Sequence, residues 1–280
     1  MRITKQLTAQ IVALFFVAFA CGAEPVYDAT IGVEAIPADV GSHAGTFALK
    51  TVSTTLVHVP IFGDKNGGGI NYRLVKRTYN AEEKAYNQSS ELCGGENFEV
   101  AGVTTAAPEE TYRLVPPSEK EIVTIDHDKG TYVGTGHIQL WALKDMPDPV
   151  TSTLPKGKKQ AKEAPFKDYI YDMDGDGKDG VTMKISGIVN GEVYVIQRKF
   201  VDVSGIILGP DRAIGLASNS YTTIILGDDI SIYDPKDGSA ETHPDPKLSW
   251  FEEIRMPDTA TCDDVMAAVQ NGTLSPTRPF

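Results

Sequence analysis

Only one stretch of this chain carries a helical period. Residues 263–270 (Asp-Asp-Val-Met-Ala-Ala-Val-Gln) read as a helix, with Thr261 as its cap and Asn271-Gly272 as its stop. Everything else is made of short runs rich in Val, Ile, Thr and aromatic residues, broken by Gly, Pro, Asn and Asp. Strands are predicted over 47–59, 70–79, 98–104, 111–115, 121–126, 132–143, 181–203 and 206–233. A chain of 280 residues with a single short helix has only sheet against which to bury apolar surface. The expected fold is therefore all-β, an antiparallel barrel or sandwich with one short C-terminal helix.

The strongest turn signal is Asn190-Gly191, the dipeptide of a two-residue type I′ hairpin. Folding about it sets Val189 opposite Glu192, Ile185 opposite Ile196, Val181 opposite Phe200 and Gly187 opposite Tyr194. The pattern Phe47-Ala48-Leu49-Lys50-Thr51 leading to Tyr72-Arg73-Leu74-Val75-Lys76 is echoed by 181–185 leading to 194–198. Two meander halves, 28–146 and 168–262, are expected within one domain spanning 28–262, with helix and tail at 263–280. Between the halves, 147–167 holds four prolines and the lysines 156, 158, 159 and 162, and reads as an exposed, mobile connection.

The first residues are a leader. Arg2 and Lys5 precede a ten-residue apolar run at 11–20, half the length needed to span a hydrocarbon core. Ala18-Phe19-Ala20-Cys21-Gly22 has the layout of a lipobox, which makes 1–20 a signal peptide, Cys21 the lipidated residue and 21–27 a tether. A secretory cut after Ala20 or Ala23 is the alternative. By this resemblance to the lipobox of bacterial lipoproteins, Gly22 in place of an aspartate implies sorting to the outer membrane, on its periplasmic or cell-surface side. An exported chain meets an oxidising compartment, so Cys93 and Cys262 are expected to form a disulfide. The net charge of −12 grows more negative once Arg2 and Lys5 are removed, and such a surface repels nucleic acid.

The densest charge lies in Asp172-Met173-Asp174-Gly175-Asp176-Gly177-Lys178-Asp179-Gly180. Carboxylates at alternate positions of a tight turn converge, and a hard divalent cation relieves their repulsion. Asp172, Asp174 and Asp176 are candidate calcium ligands, with the carbonyl of Lys178 at the seventh position. Met183 stands where an EF-hand has its bidentate glutamate, so a further ligand must come from Asp179, Asp168, Asp228, Asp229 or water. Catalytic signals are thin. Asp126-His127-Asp128 sits just before Lys129-Gly130 and reads as a turn. His137 and Trp141 share one face of a strand, as cavity lining or core. The pairs Glu82-Glu83, Glu109-Glu110 and Glu252-Glu253 read as surface, and no nucleophile elbow, Walker loop or dinucleotide fingerprint occurs.

The lipobox, the β-rich body and the Asp-x-Asp-Gly-Asp-Gly loop together resemble exported lipoproteins of Gram-negative bacteria, and the loop resembles that of an EF-hand. The resemblance implies export and calcium but no activity. The expected role is a calcium-stabilised, non-catalytic outer-membrane lipoprotein. It would be held to the membrane by its N-terminal lipid and bind a small apolar molecule or a surface partner. A surface adhesive or structural module is the alternative, and a calcium-dependent hydrolase a third reading.

Overall fold

A computed structural model of the chain describes residues 34–59, 63–230 and 238–274. Its strands are β1 (Gly45–Val59), β2 (Gly63–Asn80), β3 (Ala85–Asn97), β4 (Val103–Ala106), β5 (Ser118–Asp126), β6 (Thr131–Trp141), β7 (Val181–Gly187), β8 (Gly191–Ile207), β9 (Arg212–Asp228), β10 (Gly238–Glu241) and β11 (Trp250–Met256). Four helices accompany them: α1 (Glu109–Tyr112), α2 (Gly157–Ala161), α3 (Phe166–Tyr169) and α4 (Cys262–Gln270). The leader, Cys21 and the tether lie outside the described residues.

All strand pairings are antiparallel, and they close on themselves. β1, β2, β3, β5, β6, β8, β9 and β11 pair in that order, and β11 returns to β1. The expected all-β fold is thus an eight-stranded meander barrel, a closure that leaves no edge within the ring. Three short strands lie outside the ring. β7 pairs with β8 beyond the end of β6, β4 pairs with β7, and β10 continues the β11 side of β9. The wall is therefore extended at the end of the barrel where β8 begins. The proposed repeat does not produce equivalent strands, since β1 belongs to the ring and β7 does not.

One end of the interior is plugged by apolar side chains. Phe47, Leu49, Val75, Tyr86, Tyr132, Val203, Ile207 and Phe251 pack together there. The eight ring strands, seven to eighteen residues long, line the interior with inward positions at every second residue. Outside the barrel, α4 lies on β2 and β3. Val265, Val269 and Leu274 cover Tyr72, Leu74 and Trp250, and Cys93 is bonded to Cys262 as expected, with a Cα–Cα distance of 4.8 Å. The helix has the predicted cap: the Asp264 carboxylate accepts from Thr261 N–H at 2.8 Å and from its hydroxyl at 2.9 Å. Gly272 follows at φ +78°, the left-handed conformation that ends helices.

Several expectations are corrected. Residues 111–115 are not a strand: α1 starts after Pro108 with Glu109 and Glu110 in its first turn, where carboxylates suit the helix dipole. β3 was not foreseen from the sequence. The hairpin at Asn190-Gly191 has a different register, pairing Val181 with Val195 and Ile185 with Gly191. Asn190 does not take the positive φ that a type I′ turn requires of it. Its side-chain amide instead bonds both the N–H and the carbonyl of Gly187 across a wider loop. Tyr194 still covers a glycine, but it is Gly227 on β9. The 147–167 connection is more structured than its composition suggests. It holds α2, buries Pro155 and Ala161, and packs Leu154 into a core cluster.

Candidate ligand and metal sites

A buried polar network is embedded among the apolar side chains of the plug. Arg77 of β2 reaches Glu253 of β11 with two parallel bonds, Nη1 to Oε1 at 2.9 Å and Nη2 to Oε2 at 2.6 Å. Its Nε donates to Gln88 Oε1 at 2.9 Å, and its guanidinium lies 4.7 Å from the Phe47 ring centroid. Both side chains of the pair are 0% exposed. Burial alone would lower the Arg77 pKa, but the facing Glu253 carboxylate more than offsets this and raises it. Reading Glu252-Glu253 as surface was therefore wrong. Glu253 is inside the barrel, and Glu252 is buried on the outer face against Arg212 at 2.6 Å.

Gln88 passes the network to Glu121, which also accepts from Ser90 and lies 2.9 Å from His137 Nδ1. Burial works to raise the Glu121 carboxyl, while His137, Arg73 and Ser90 hold it down at about 2. Burial, then Arg73, lowers His137 to about 4, so at neutral pH it is an uncharged donor to Glu121. Arg73 is 2% exposed and donates from Nη2 to the Thr51 hydroxyl at 3.0 Å, with Nε and Nη1 unpartnered. Asp126-His127-Asp128 is a turn, as expected, closed by Lys129 on Asp126 at 2.8 Å.

At the open end, a cavity of about 340 Å³ lies inside the barrel. Ser53, Thr55 and Val57 of β1 form one wall, and Asn219, Tyr221, Thr223 and Ile225 of β9 another. β8 contributes Val193, Val195, Gln197 and Lys199, and β7 contributes Met183 and Ile185. On β2, Gly67, Gly68 and Gly69 form wall without bulk, and a Cβ at Gly68 would lie 1.9 Å from Ser53 O. A side chamber of about 80 Å³ runs from it to Tyr112, Gln139 and Trp141. His137 and Trp141 thus do share an inward face, with Trp141 on the chamber wall.

The acidic loop lies immediately before β7. Ligand oxygens of Asp172, Asp174 and Asp176 fall within 4.8 Å of one another, so this group could hold a metal ion. Backbone geometry holds it: Gly175 and Gly177 N–H donate to Asp172 at 2.7 and 2.8 Å, and both glycines have positive φ. Thr182 locks the loop to β7, its N–H on Asp174 at 2.8 Å and its hydroxyl on Asp176 at 2.6 Å. Asp174 Oδ1 is buried without a partner. Burial, then the neighbouring Asp176 and Asp172, raises the Asp174 carboxyl, a repulsion that a cation would relieve. The Lys178 ammonium bonds Glu192 at 3.1 Å and the Tyr194 hydroxyl at 2.7 Å, and it lies 3.9 Å from Asp176 Oδ2, offsetting part of the loop's negative charge. Asp179 is exposed and outside the group, Asp228 accepts from Ile230 N–H, and Asp229 accepts from Glu192 N–H.

Comparison of the chain with protein-family models, with curated proteins and with solved structures finds no match. Among the described residues, no helix is long and apolar enough to cross a membrane.

Proposed function

We propose that this protein is a non-catalytic binding protein that takes a small molecule into the open end of its barrel. The observation that carries the reading is the cavity. Its volume of about 340 Å³ lies within the range of small-molecule sites, and it combines apolar walls with a few polar groups. A surface module would need no such space inside its barrel. The lipid on Cys21 and the outer-membrane location complete the proposal, placing the carrier beside a membrane.

A neutral fluorescent probe, N-phenyl-1-naphthylamine, tests the reading. It should bind saturably at one site, and Met183→Trp, which puts bulk into the cavity, should weaken it at least tenfold with the thermal melt unchanged. No saturable binding, or binding indifferent to Met183→Trp, overturns the proposal.

In the same reading, the metal at Asp172, Asp174 and Asp176 is calcium, because three flexible carboxylate donors on a glycine-bent loop suit its variable coordination. Its role is to fix the start of β7, and with it the cavity wall at Met183. Calcium at tenfold excess over its dissociation constant should add about 1.4 kcal/mol. For a domain of this size that is a melting temperature rise of about 3–6 °C. The rise should vanish in Asp174→Ala. Identical melts with calcium and with chelator would remove calcium from the account.

A further inference from the structure

The floor of the cavity is its least ordinary part. Along β8, the inward residues run Val193, Val195, Gln197, Lys199 and then Val201 in the apolar plug. Lys199 is thus the last polar side chain before the plug, and it lines both the cavity and the side chamber. Among the described residues, no carboxylate lies within ion-pair distance of it. The neighbour it has is neutral: with the Asn71 amide turned to satisfy both its ends, the Asn71 oxygen lies 3.3 Å from Lys199 Nζ.

The interior charges do not balance. Among the described residues, the Arg255 beside Phe47 is paired with Asp211, and the remaining inward cations Arg73, Arg77 and Lys199 face Glu121 and Glu253, while His137 is neutral. Arg77 takes Glu253, while Glu121 is engaged by Gln88, Ser90 and His137. One positive charge is left over inside an otherwise acidic protein. Burial and the nearby Arg73 lower the Lys199 ammonium to about 8, so it is still protonated at neutral pH and is disfavoured where it stands. Unpartnered polar groups line the same walls: the Trp141 Nε1 donor, both ends of the Asn219 amide, and the Ser53 and Thr55 hydroxyls. Leaving such groups unmatched is costly, and a carboxylate would satisfy the Trp141, Asn219 and hydroxyl donors among them.

We infer that the cavity takes an amphipathic monocarboxylate, its carboxylate against Lys199 and its apolar body against Met183, Ile185, Val193 and Val195. One negative charge cancels the excess, whereas a dianion such as a phosphate monoester would replace it with the opposite imbalance. The size of the cavity favours a short chain over a full-length phospholipid tail pair. This inference rests on the binding-protein reading above and specifies its ligand.

The test is calorimetric titration of the mature protein with decanoate and with 1-decanol, two probes of matched chain. Decanoate should bind at least tenfold tighter than decanol. Lys199→Met should lose at least tenfold for decanoate and less than twofold for decanol, and Lys199→Arg should keep most of the preference. Lys199→Met removes the buried charge and shortens the unbranched side chain by only one heavy atom, and its thermal melt reports that it folds. Equal binding of the two probes, unchanged by Lys199→Met, overturns the inference and leaves the carrier reading standing. If neither probe binds, the carrier reading falls with it.

Discussion

Replacing Glu253 by Ala should cost about 3–5 kcal/mol of unfolding free energy, measured by urea denaturation. The cause is not the loss of an attraction. Glu253 and Arg77 are both sealed inside the barrel, and removing the carboxylate leaves a fully buried guanidinium with no directly paired carboxylate, Glu121 acting only at longer range. Gln88 and Tyr132 remain as neutral partners, but neither offsets a full charge. Arg77→Met should be nearly as harmful, because it strands Glu253 instead. The double variant, Arg77→Met with Glu253→Leu, should be less destabilised than the sum of the two single changes by about 2 kcal/mol or more. That non-additivity is the decisive reading. If the single changes cost under about 1 kcal/mol each, or simply add, the pair does not hold the barrel together in the way its geometry indicates.

The same pair marks where sequence reading stops. Glu252-Glu253 looks like surface because nothing near it in the chain is apolar enough to shift a carboxyl. Its partner is Arg77, 176 positions away. A buried charge is identifiable only when both ends are known, and the chain order hides the second end. β3 was invisible for a related reason. Its inward residues are Tyr86, Gln88 and Ser90, two of them polar because they serve the interior network, so the alternation that announces a half-buried strand is missing. The cavity was equally hidden, since it depends on which inward positions carry no bulk.

Local chemistry, by contrast, was readable. α4 is fixed by Thr261, Asp264 and Gly272 within a dozen residues, and the three aspartates converge because their turn forces them to. The Asn190-Gly191 turn shows the limit between these cases. The dipeptide does mark the join of β7 and β8, yet the register came out five residues away from the two-residue solution. Pairing of β7 with β4 on its other side competes with the local turn preference, and here the sheet won.

Removing the disulfide should have an effect as large as breaking the buried pair, by a different route. Cys93 and Cys262 are 169 residues apart, so their bond closes a loop that contains most of the barrel. In the chain-entropy view, a loop of that length costs the unfolded chain about 5 kcal/mol of freedom. The native contacts at the bond are modest, and α4 keeps its cap and its apolar contacts with Tyr72 and Leu74 when the sulfurs are parted. The stabilisation therefore acts mainly on the denatured state. A Cys93→Ala, Cys262→Ala double variant should melt about 10–20 °C lower. Its denaturant slope should also rise, because an unlinked chain expands further and exposes more surface. The slope separates this account from its competitor. If the melting temperature falls while the slope is unchanged, the bond works by pinning α4 to the native barrel, and the loss is one of packing under the helix.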